Sequence, residues 1–420
     1  MLCVPVKFIN ILRFLSIVSN IVRAAIAGFL RRGMCETIKG GKMKDSERLV
    51  QYMESKLKEM CGLLEKCVQL ESPSHEDKTA SDRCNAFFKN LLEKEGFDVE
   101  VKPQIDNGDH LIAHMGTGIR GTMCVGHYDT VFPIGDIIKN PFRIEDGKAY
   151  GPGILDMKGG IIMGIYAVKA LKELGMMPDK RITFFLNGDE ESGSFNSSKM
   201  IVEEAKKHDN VIVLEPGYNE LGSIKKTRYG RGTYELIVRG KMAHSGTNPN
   251  EGINPVVELT YQIQKLLKLY SVEKGISIVP TYIKGGIKGT CMIPDTAYVS
   301  FDVRAKTAEM LELVDKKIKS VKPVMKGIHI DVKGGIDKPP LPEYKELIEA
   351  ARKYADELDI ELIPENCMGG SDGNFTGGAG IPTIDGLGMS GLYLHTHDEY
   401  INMNHIVKRT ALVARLIENI

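Results

Sequence analysis

Hydrophobic residues along the chain follow two periodic patterns, which together predict helices packed on a buried sheet. Residues 45–70 and 79–95 are each predicted to form an amphipathic helix, since apolar side chains recur there at helical spacing. Short apolar runs then alternate with a helical stretch: the runs cover residues 122–125, 181–186 and 211–214, and the helix covers residues 161–174. Runs without a polar face predict strands buried in a largely parallel sheet.

The pattern changes between Gly230 and Gly335, where the predicted elements follow in the order β-α-β-β-α-β. Strands are predicted over residues 233–238, 276–283, 297–303 and 328–332, and helices over residues 254–270 and 308–321. This order is typical of the ferredoxin-like split unit. The predicted fold class is therefore α/β, with a central mixed, mostly parallel sheet and an inserted α+β domain. We assign residues 230–335 to the inserted domain, and residues 43–229 and 336–420 to the two parts of the first domain.

The first 42 residues differ from the rest because they are apolar and basic, with no acidic residue before Cys35. Arg13 and Arg23 interrupt the apolar run, whereas a membrane-spanning helix needs about 20 mostly apolar residues. A secretory signal also needs an uninterrupted apolar stretch. We therefore predict that residues 1–42 are an extension outside the fold. The alternative is a basic amphipathic helix at a membrane surface.

Composition narrows the class of protein. A chain of 420 residues is long enough for two domains. Its 55 basic and 55 acidic residues give no net charge, so the basic excess typical of nucleic-acid binding is missing. The eight cysteines form no CxxC pair. This usage predicts reduced thiols and a cytoplasmic protein rather than a disulfide framework.

Polar side chains collect where the predicted strands end. The residues concerned are His127, Asp129, Asp189, Glu190, Glu191 and Glu215. Ligands of open α/β sheets bind at this carboxyl edge. Neighbouring carboxylates resist joint ionisation, and a divalent cation among them removes that conflict. Since imidazole and carboxylate together suit Zn²⁺, the pattern predicts a metal site.

Spacing adds detail at two of these positions. In a strand, His127 and Asp129 lie on the same side, so the Asp129 carboxylate is placed to accept the outer ring N–H of His127. Asp156 lies in the glycine-rich stretch GPGILDMKGG, where glycine permits unusual backbone angles and close approach. Taken singly, each motif also fits a solvated loop or turn.

The motifs GHYDT, GPGILDMKGG, NGDEESG, LEP and HTHDE, in this order, resemble one family of metallopeptidases. The family contains glutamate carboxypeptidase, aminoacylase, peptidase T and succinyl-diaminopimelate desuccinylase. The resemblance extends from about residue 45 to the C-terminus. It implies a zinc-exopeptidase-like catalytic domain and an inserted domain that serves as lid and dimerisation surface.

The resemblance also implies a ligand set for two Zn²⁺ ions, with Co²⁺ or Mn²⁺ as alternative metals. Asp156 would bridge the two ions, and its peptide bond to Met157 would be cis. His127 and Glu215 would complete one zinc site, and Glu191 and His395 the other. The family pattern of histidine, two residues and then an acid or asparagine followed by glutamate selects His395 rather than His397.

Catalytic roles follow from the same resemblance. Glu190 would be the general base that takes a proton from a metal-bridging water and delivers it to the leaving amine. His244, in GKMAHSG, would reach across a homodimer interface to stabilise the oxyanion in the partner's active site. The implied partner is a second copy of this chain, bound through the inserted domain.

The motifs GHYDTVFPIGD, GGSDGNFTG and IDGLGMSG most resemble the glutamate carboxypeptidase branch, which removes a C-terminal amino acid from a peptide or an N-acyl amino acid. Arg304 is a candidate for binding the α-carboxylate, or else forms a structural ion pair with Asp302. Two substrate-site positions depart from the branch. Cys291 replaces an asparagine, and Lys338 replaces an arginine and so loses the bidentate fork.

Other activities on the same scaffold remain open. An aminoacylase, a dipeptidase or a desuccinylase would use the same metals with another specificity pocket. A non-catalytic binding protein is the alternative from a different class, and loss of Glu190 or of a metal ligand would favour it. No such loss occurs in this sequence.

Overall fold

The computed structural model describes residues 43–286 and 288–420. The predicted extension, residues 1–42, and its membrane-surface alternative lie outside the described residues. No helix in the described part of the chain is both long and apolar enough to cross a lipid bilayer.

The helices of the described residues include the five predicted ones, together with others that were not predicted. They are α1 (Asp45–Gln69), α2 (Lys78–Glu95), α3 (Asp136–Lys139), α4 (Gly159–Glu173), α5 (Ser198–Ala205), α6 (Pro255–Leu267), α7 (Ala308–Lys319), α8 (Lys345–Glu357), α9 (Gly373–Gly378) and α10 (Ile406–Asn419). Three single turns, Ile154–Lys158, Pro249–Glu251 and Met403–His405, complete the helical segments.

The strands of residues 43–286 and 288–420 fall into five sheets. They are β1 (Asp98–Lys102), β2 (Gly108–Met115), β3 (Gly121–His127), β4 (Arg143–Glu145), β5 (Lys148–Tyr150), β6 (Arg181–Gly188), β7 (Asn210–Val213), β8 (Ile224–Arg228), β9 (Gly230–Arg239), β10 (Ala243–His244), β11 (Ile276–Gly285), β12 (Met292–Ile293), β13 (Thr296–Ala305), β14 (His329–Lys338), β15 (Pro364–Cys367), β16 (Thr383–Ile384), β17 (Gly391–Leu392) and β18 (Tyr400–Asn402).

The central sheet has six strands in the order β1-β2-β6-β3-β7-β16. Strands β6, β3, β7 and β16 run parallel, whereas β1 and β2 add an antiparallel edge. Helices cover both faces, as a mainly parallel sheet requires. On one face α4 is buried almost all round, which explains its uniformly apolar sequence. On the other face Ile201 and Ala205 of α5 pack against the sheet.

The inserted unit has its own sheet and its own hydrophobic core. Its strands β11-β13-β9-β14 are all antiparallel, with α6 and α7 packed on one face. Burial along β13 alternates with period two: Val299, Phe301 and Val303 face the core and their neighbours do not. The predicted fold class is confirmed, including the ferredoxin-like order of elements. The exact domain boundaries stay predictions.

Candidate active site

The carboxyl edge of the parallel strands brings together side chains from distant parts of the chain. His127 is the last residue of β3, and Glu190 and Glu191 come after Asp189, which follows the end of β6. Glu215 lies just beyond β7. Asp156 comes from the irregular turn before α4, and His395 from the loop between β17 and β18. Parallel strands end at a common edge, which is why these positions converge.

Asp156 lies at the centre of the group, with one carboxylate oxygen toward each histidine. Its Oδ1 is 3.2 Å from Nε2 of His127, and its Oδ2 is 3.1 Å from Nε2 of His395. Each histidine also faces a second acid. Oε1 of Glu215 is 3.7 Å from Nε2 of His127, and Oε1 of Glu191 is 3.2 Å from Nε2 of His395.

The donor set fits a pair of metal ions. Ligand atoms of His127, Asp156 and Glu191 lie within 4.8 Å of one another, and so do those of His127, Glu190 and Glu215. Oε1 of Glu191 is buried without a hydrogen-bond donor among the described residues, although the His395 ring is within ion-pair distance. Burial, reinforced by the charge of Asp156, raises the pKa of Glu191 to about 8. Divalent cations would relieve this crowding of buried carboxylates.

The backbone around Asp156 is held by Glu399. Oε1 of Glu399 accepts the backbone N–H of Leu155 at 2.8 Å and that of Asp156 at 3.2 Å. Burial and then the charge of Asp156 raise the pKa of Glu399 to about 8. The Asp156–Met157 peptide bond is cis, as the resemblance implied. Glu399 lies in the HTHDE motif, but no role was predicted for it from the sequence.

Asp129 orients both His127 and the segment that carries the two neighbouring glutamates. Its fully buried carboxylate accepts the backbone N–H groups of Glu190 at 3.2 Å and Glu191 at 3.0 Å. Nδ1 of His127 is 3.0 Å from the Asp129 carbonyl oxygen and 3.4 Å from its carboxylate. The backbone carbonyl oxygen of Asp129 is therefore a nearer acceptor for the His127 ring than the Asp129 carboxylate, which was the predicted acceptor.

Lys338 contacts Glu190, the residue predicted as general base. Its Nζ donates to Oε1 of Glu190 at 2.7 Å, and only 6% of the Lys338 side chain is exposed. The carboxylates of Glu190 and Asp372 raise the pKa of the Lys338 ammonium even though burial opposes its charge. Lys338 was predicted to bind substrate, and its contact with the predicted base was not expected from the sequence.

Arg228 and Lys225 hold Glu215 in place, and neither cation was predicted from the sequence to belong to the site. Nη2 of Arg228 donates to Oε2 of Glu215 at 2.9 Å, and Nζ of Lys225 donates to the same oxygen at 3.3 Å. Arg228 also makes two hydrogen bonds to Asp385, at 2.7 and 2.8 Å. Burial opposes ionisation of Glu215, yet these two cations hold its pKa well below the ordinary value.

Within the described residues, Arg304 and Cys291, which were predicted for the substrate site, make no contact with the group around Asp156. His397 makes none either. Nε2 of His397 is 3.0 Å from Asp136 instead. Arg304 makes the ion pair with Asp302, at 2.9 Å, that was the alternative to its binding role. Cys291 is exposed and lies beside β12.

His244 is exposed, and its ring is oriented by its own loop. Nδ1 accepts the backbone N–H groups of Gly246 at 3.1 Å and Thr247 at 3.0 Å. A neutral ring that accepts at Nδ1 carries its proton on Nε2. The outer nitrogen is therefore a hydrogen-bond donor directed by two backbone contacts.

A helix-covered α/β sheet with histidines and carboxylates clustered at its carboxyl edge defines a metal-dependent hydrolase. The model of Peptidase family M20/M25/M40 matches residues 123–419, and the chain belongs to that family. It is a metallopeptidase of the M20 type.

Curated relatives within the family have different activities. The chain is 30% identical to carboxypeptidase G2 of Pseudomonas sp. (strain RS-16) over 409 residues, which cover 95% of this chain and 98% of the relative. It is 27% identical over 376 residues to a succinyl-diaminopimelate desuccinylase of Wolbachia pipientis wMel, covering 85% and 92% of the two chains.

Solved structures share the fold. The aminopeptidase PepT of Bacillus cereus ATCC 10987 superposes with a TM-score of 0.70 at 23% identity, covering 86% of this chain and 98% of that one. The YXEP protein of Bacillus subtilis, described as a dinuclear metal-binding peptidase of the M20 family, superposes with a TM-score of 0.63 at 14% identity, covering 87% and 98%.

Proposed function

We propose that the group around Asp156 binds two zinc ions and hydrolyses an amide bond. Asp156 would bridge the ions, with His127 and Glu215 on one side and Glu191 and His395 on the other. The observation that carries this proposal is the position of the Asp156 carboxylate, whose two oxygens lie 3.2 and 3.1 Å from two different histidines. Co²⁺ or Mn²⁺ would fit the same oxygen and nitrogen donors.

The bound metal pair would supply a nucleophile at neutral pH and polarise the scissile carbonyl group. Glu190 accepts a proton from the attacking water and delivers it to the leaving nitrogen as the C–N bond breaks. Lys338 holds the Glu190 carboxylate by a 2.7 Å hydrogen bond. Asp129 fixes the backbone on both sides of the Glu190–Glu191 bond, so that one carboxylate can serve as base while the other binds metal.

The proposed substrate is a small peptide or an N-acyl amino acid that loses its C-terminal residue. The similarity to carboxypeptidase G2 over 95% of this chain supports this reading. Desuccinylase activity is the second candidate, because relatives with that name also match most of the chain. Aminoacylase and dipeptidase activities would use the same metals. Free cysteines, mostly buried, support the proposed cytoplasmic location.

We also infer that the protein is a homodimer joined through the inserted domain. Exposed apolar side chains of α6 and β11 form what we call the edge patch: Val257, Tyr261, Val279, Tyr282 and Ile283. Strand β11 is an edge of its sheet, with hydrogen-bonding groups that a second copy can pair. Such a dimer would let His244, with its proton directed to Nε2, donate to an oxyanion in the partner's site.

Replacing the base without removing a metal ligand tests the proposed function. Glu190→Gln should keep the metal content of the wild type and lower kcat by about 10²- to 10⁴-fold, because the amide cannot accept the proton. Wild type and variant should be compared on N-acyl amino acids, dipeptides, N-succinyl-diaminopimelate and tripeptides. Near-normal turnover by the variant would remove Glu190 as base, and activity confined to tripeptides with a free N-terminus would contradict the carboxypeptidase reading.

A further inference from the structure

The loop that carries His395 has an unusual backbone conformation. It joins β17 to β18, and both Tyr393 and His395 have positive φ angles, of 64° and 63°. This conformation costs a residue with a side chain roughly 1–2 kcal/mol, so it persists only where other contacts hold it. The His395 side chain is 46% exposed, and packing around its ring therefore does not hold it.

Contacts from inside the loop close a turn, and contacts of His397 join that turn to another segment. Thr396 donates its backbone N–H and its hydroxyl to the Tyr393 carbonyl oxygen, at 3.2 and 2.8 Å. Nε2 of His397 lies 3.0 Å from Oδ1 of Asp136. The His397 ring also stacks on Phe132, with centroids 6.4 Å apart and planes inclined by 23°. His397 therefore ties the loop to residues that follow β3.

Asp136 is a buried and firmly held partner for His397. Its side chain is 4% exposed, and its Oδ2 has no hydrogen-bond donor within residues 43–286 and 288–420. The backbone N–H groups on either side, of Gly135 and Ile137, both donate to Oε1 of Glu71, at 2.8 and 3.2 Å. A buried carboxylate is costly unless it is paired, so its contact with His397 offsets the burial of Asp136.

The contact between His397 and Asp136 links the two histidines of the candidate metal site. Asp136 belongs to the segment that follows β3, and β3 ends at His127. His397 is two residues beyond His395 in the loop. Nε2 atoms of the two outer histidines lie 3.2 and 3.1 Å from the two oxygens of Asp156. The segments that supply these histidines are thus joined outside the site as well as facing each other inside it.

We propose that His397 is a positioning residue that holds His395 in place for zinc. The inference rests on the proposed function, in which His395 and Glu191 bind one of the two ions. His397 itself would bind no metal. A ligand that is already oriented loses less conformational freedom when the ion binds, so the contacts of His397 should raise the affinity for that ion.

Zinc affinity tests this role without relying on turnover. Zinc dissociation constants should be measured at neutral pH by competition with a chelator. His397→Ala should weaken binding of one of the two ions by about tenfold or more and change the other by less than about threefold. His397→Gln should lose less, because its amide can still donate to Asp136. In a His395→Ala background, adding His397→Ala should change the affinity for the remaining ion by less than about twofold, since His397 acts through His395.

The matched control is His329→Ala, which should bind both ions like the wild type. Nε2 of His329 lies 2.8 Å from Asp331 in an exposed pair on β14, and Asp331 keeps its ion pair with Arg239, at 3.1 Å. The proposal is overturned if His397→Ala binds both ions as tightly as the wild type, if it weakens both equally, or if it weakens binding as much without His395 as with it. A wild type that binds fewer than two ions would contradict the proposed two-metal site itself, and the role of His397 with it.

Discussion

At the scale of single residues, buried ion pairs hold the acids of the candidate active site in position. Glu215 is fixed by Arg228 and Lys225, and Glu190 by Lys338. Arg228 is nearly inaccessible to solvent and is shared between Glu215 and Asp385. Because removing one partner of a buried pair leaves an uncompensated charge, these cations should matter for stability as well as for metal binding.

Arg228→Met should lower the free energy of unfolding by about 3–5 kcal/mol, because the Glu215 and Asp385 carboxylates would remain buried without their cation. Urea denaturation measures the change, and metal analysis should show weaker binding at His127 and Glu215. Arg239→Met is the control, since an exposed pair contributes about 1 kcal/mol or less. An Arg228→Met protein as stable as the control variant would show that the buried pair is not structural.

The sequence indicated the acids and histidines of the site but not the residues that support them. His127, Glu191 and Glu215 could be grouped because strand ends converge by topology. Arg228 could not be assigned to the site from the sequence, because its ion pair with Asp385 joins positions 157 residues apart. Nothing in the neighbouring sequence distinguishes this arginine from one at the surface. The role of Glu399 could not be predicted for the same reason, because its hydrogen bonds to the turn at Asp156 span more than 240 residues of sequence.

At the scale of elements, the five predicted helices and the central strands β3, β6 and β7 follow from periodicity, whereas the remaining helices, such as α8 and α10, and the short edge elements were not predicted. The predicted helix over residues 45–70 is α1 (Asp45–Gln69), and the inserted β-α-β-β-α-β order is present in full. Strands β1 and β2 were not predicted. Two-residue strands such as β16 and β17 are too short to show any period, so tertiary pairing alone defines them.

Helix α5 is linked to the sheet by a buried histidine just beyond its C-terminal end. His208 lies 2.9 Å from the Glu204 carbonyl oxygen through Nδ1 and 2.7 Å from the Thr183 hydroxyl through Nε2. Burial lowers the pKa of His208 below its ordinary value of 6.5. The unfolded chain therefore binds a proton more readily than the folded one as the pH decreases.

This contribution to stability should be complete above about pH 6.5 and should be lost as the pH falls through the lower folded-state pKa. His208→Asn should therefore make the free energy of unfolding less dependent on pH between about pH 7 and 5. Urea denaturation at each pH, with a chelator present for both proteins, gives the slopes. Identical slopes for wild type and variant would show that His208 is not the titrating group.

At the scale of the whole molecule, the proposed dimer would complete each active site with a residue from the other copy. His244 makes no contact with the Asp156 group within the described residues, and its ring is oriented by its own loop. Mixing two inactive variants, His244→Ala and Glu190→Gln, should restore up to about one quarter of wild-type activity. Random exchange would make half of the dimers mixed, and each mixed dimer would have one complete site.

Sedimentation analysis should show the dimer directly, and Ile283→Lys in the edge patch should convert it to monomer. No recovery of activity after subunit exchange, with dimers present, would contradict the trans role of His244. A wild-type protein that sediments as a monomer would contradict the dimer itself.

The central claim is a pair of metal ions bridged by Asp156, and metal content tests it most directly. After equilibration with Zn²⁺ at neutral pH and removal of free ions, elemental analysis of the wild type should find about two zinc ions per chain. Asp156→Ala should hold fewer than one, because both ions would lose a shared ligand. A wild type that holds at most one ion, or a variant that still holds two, would contradict the bridged two-metal site.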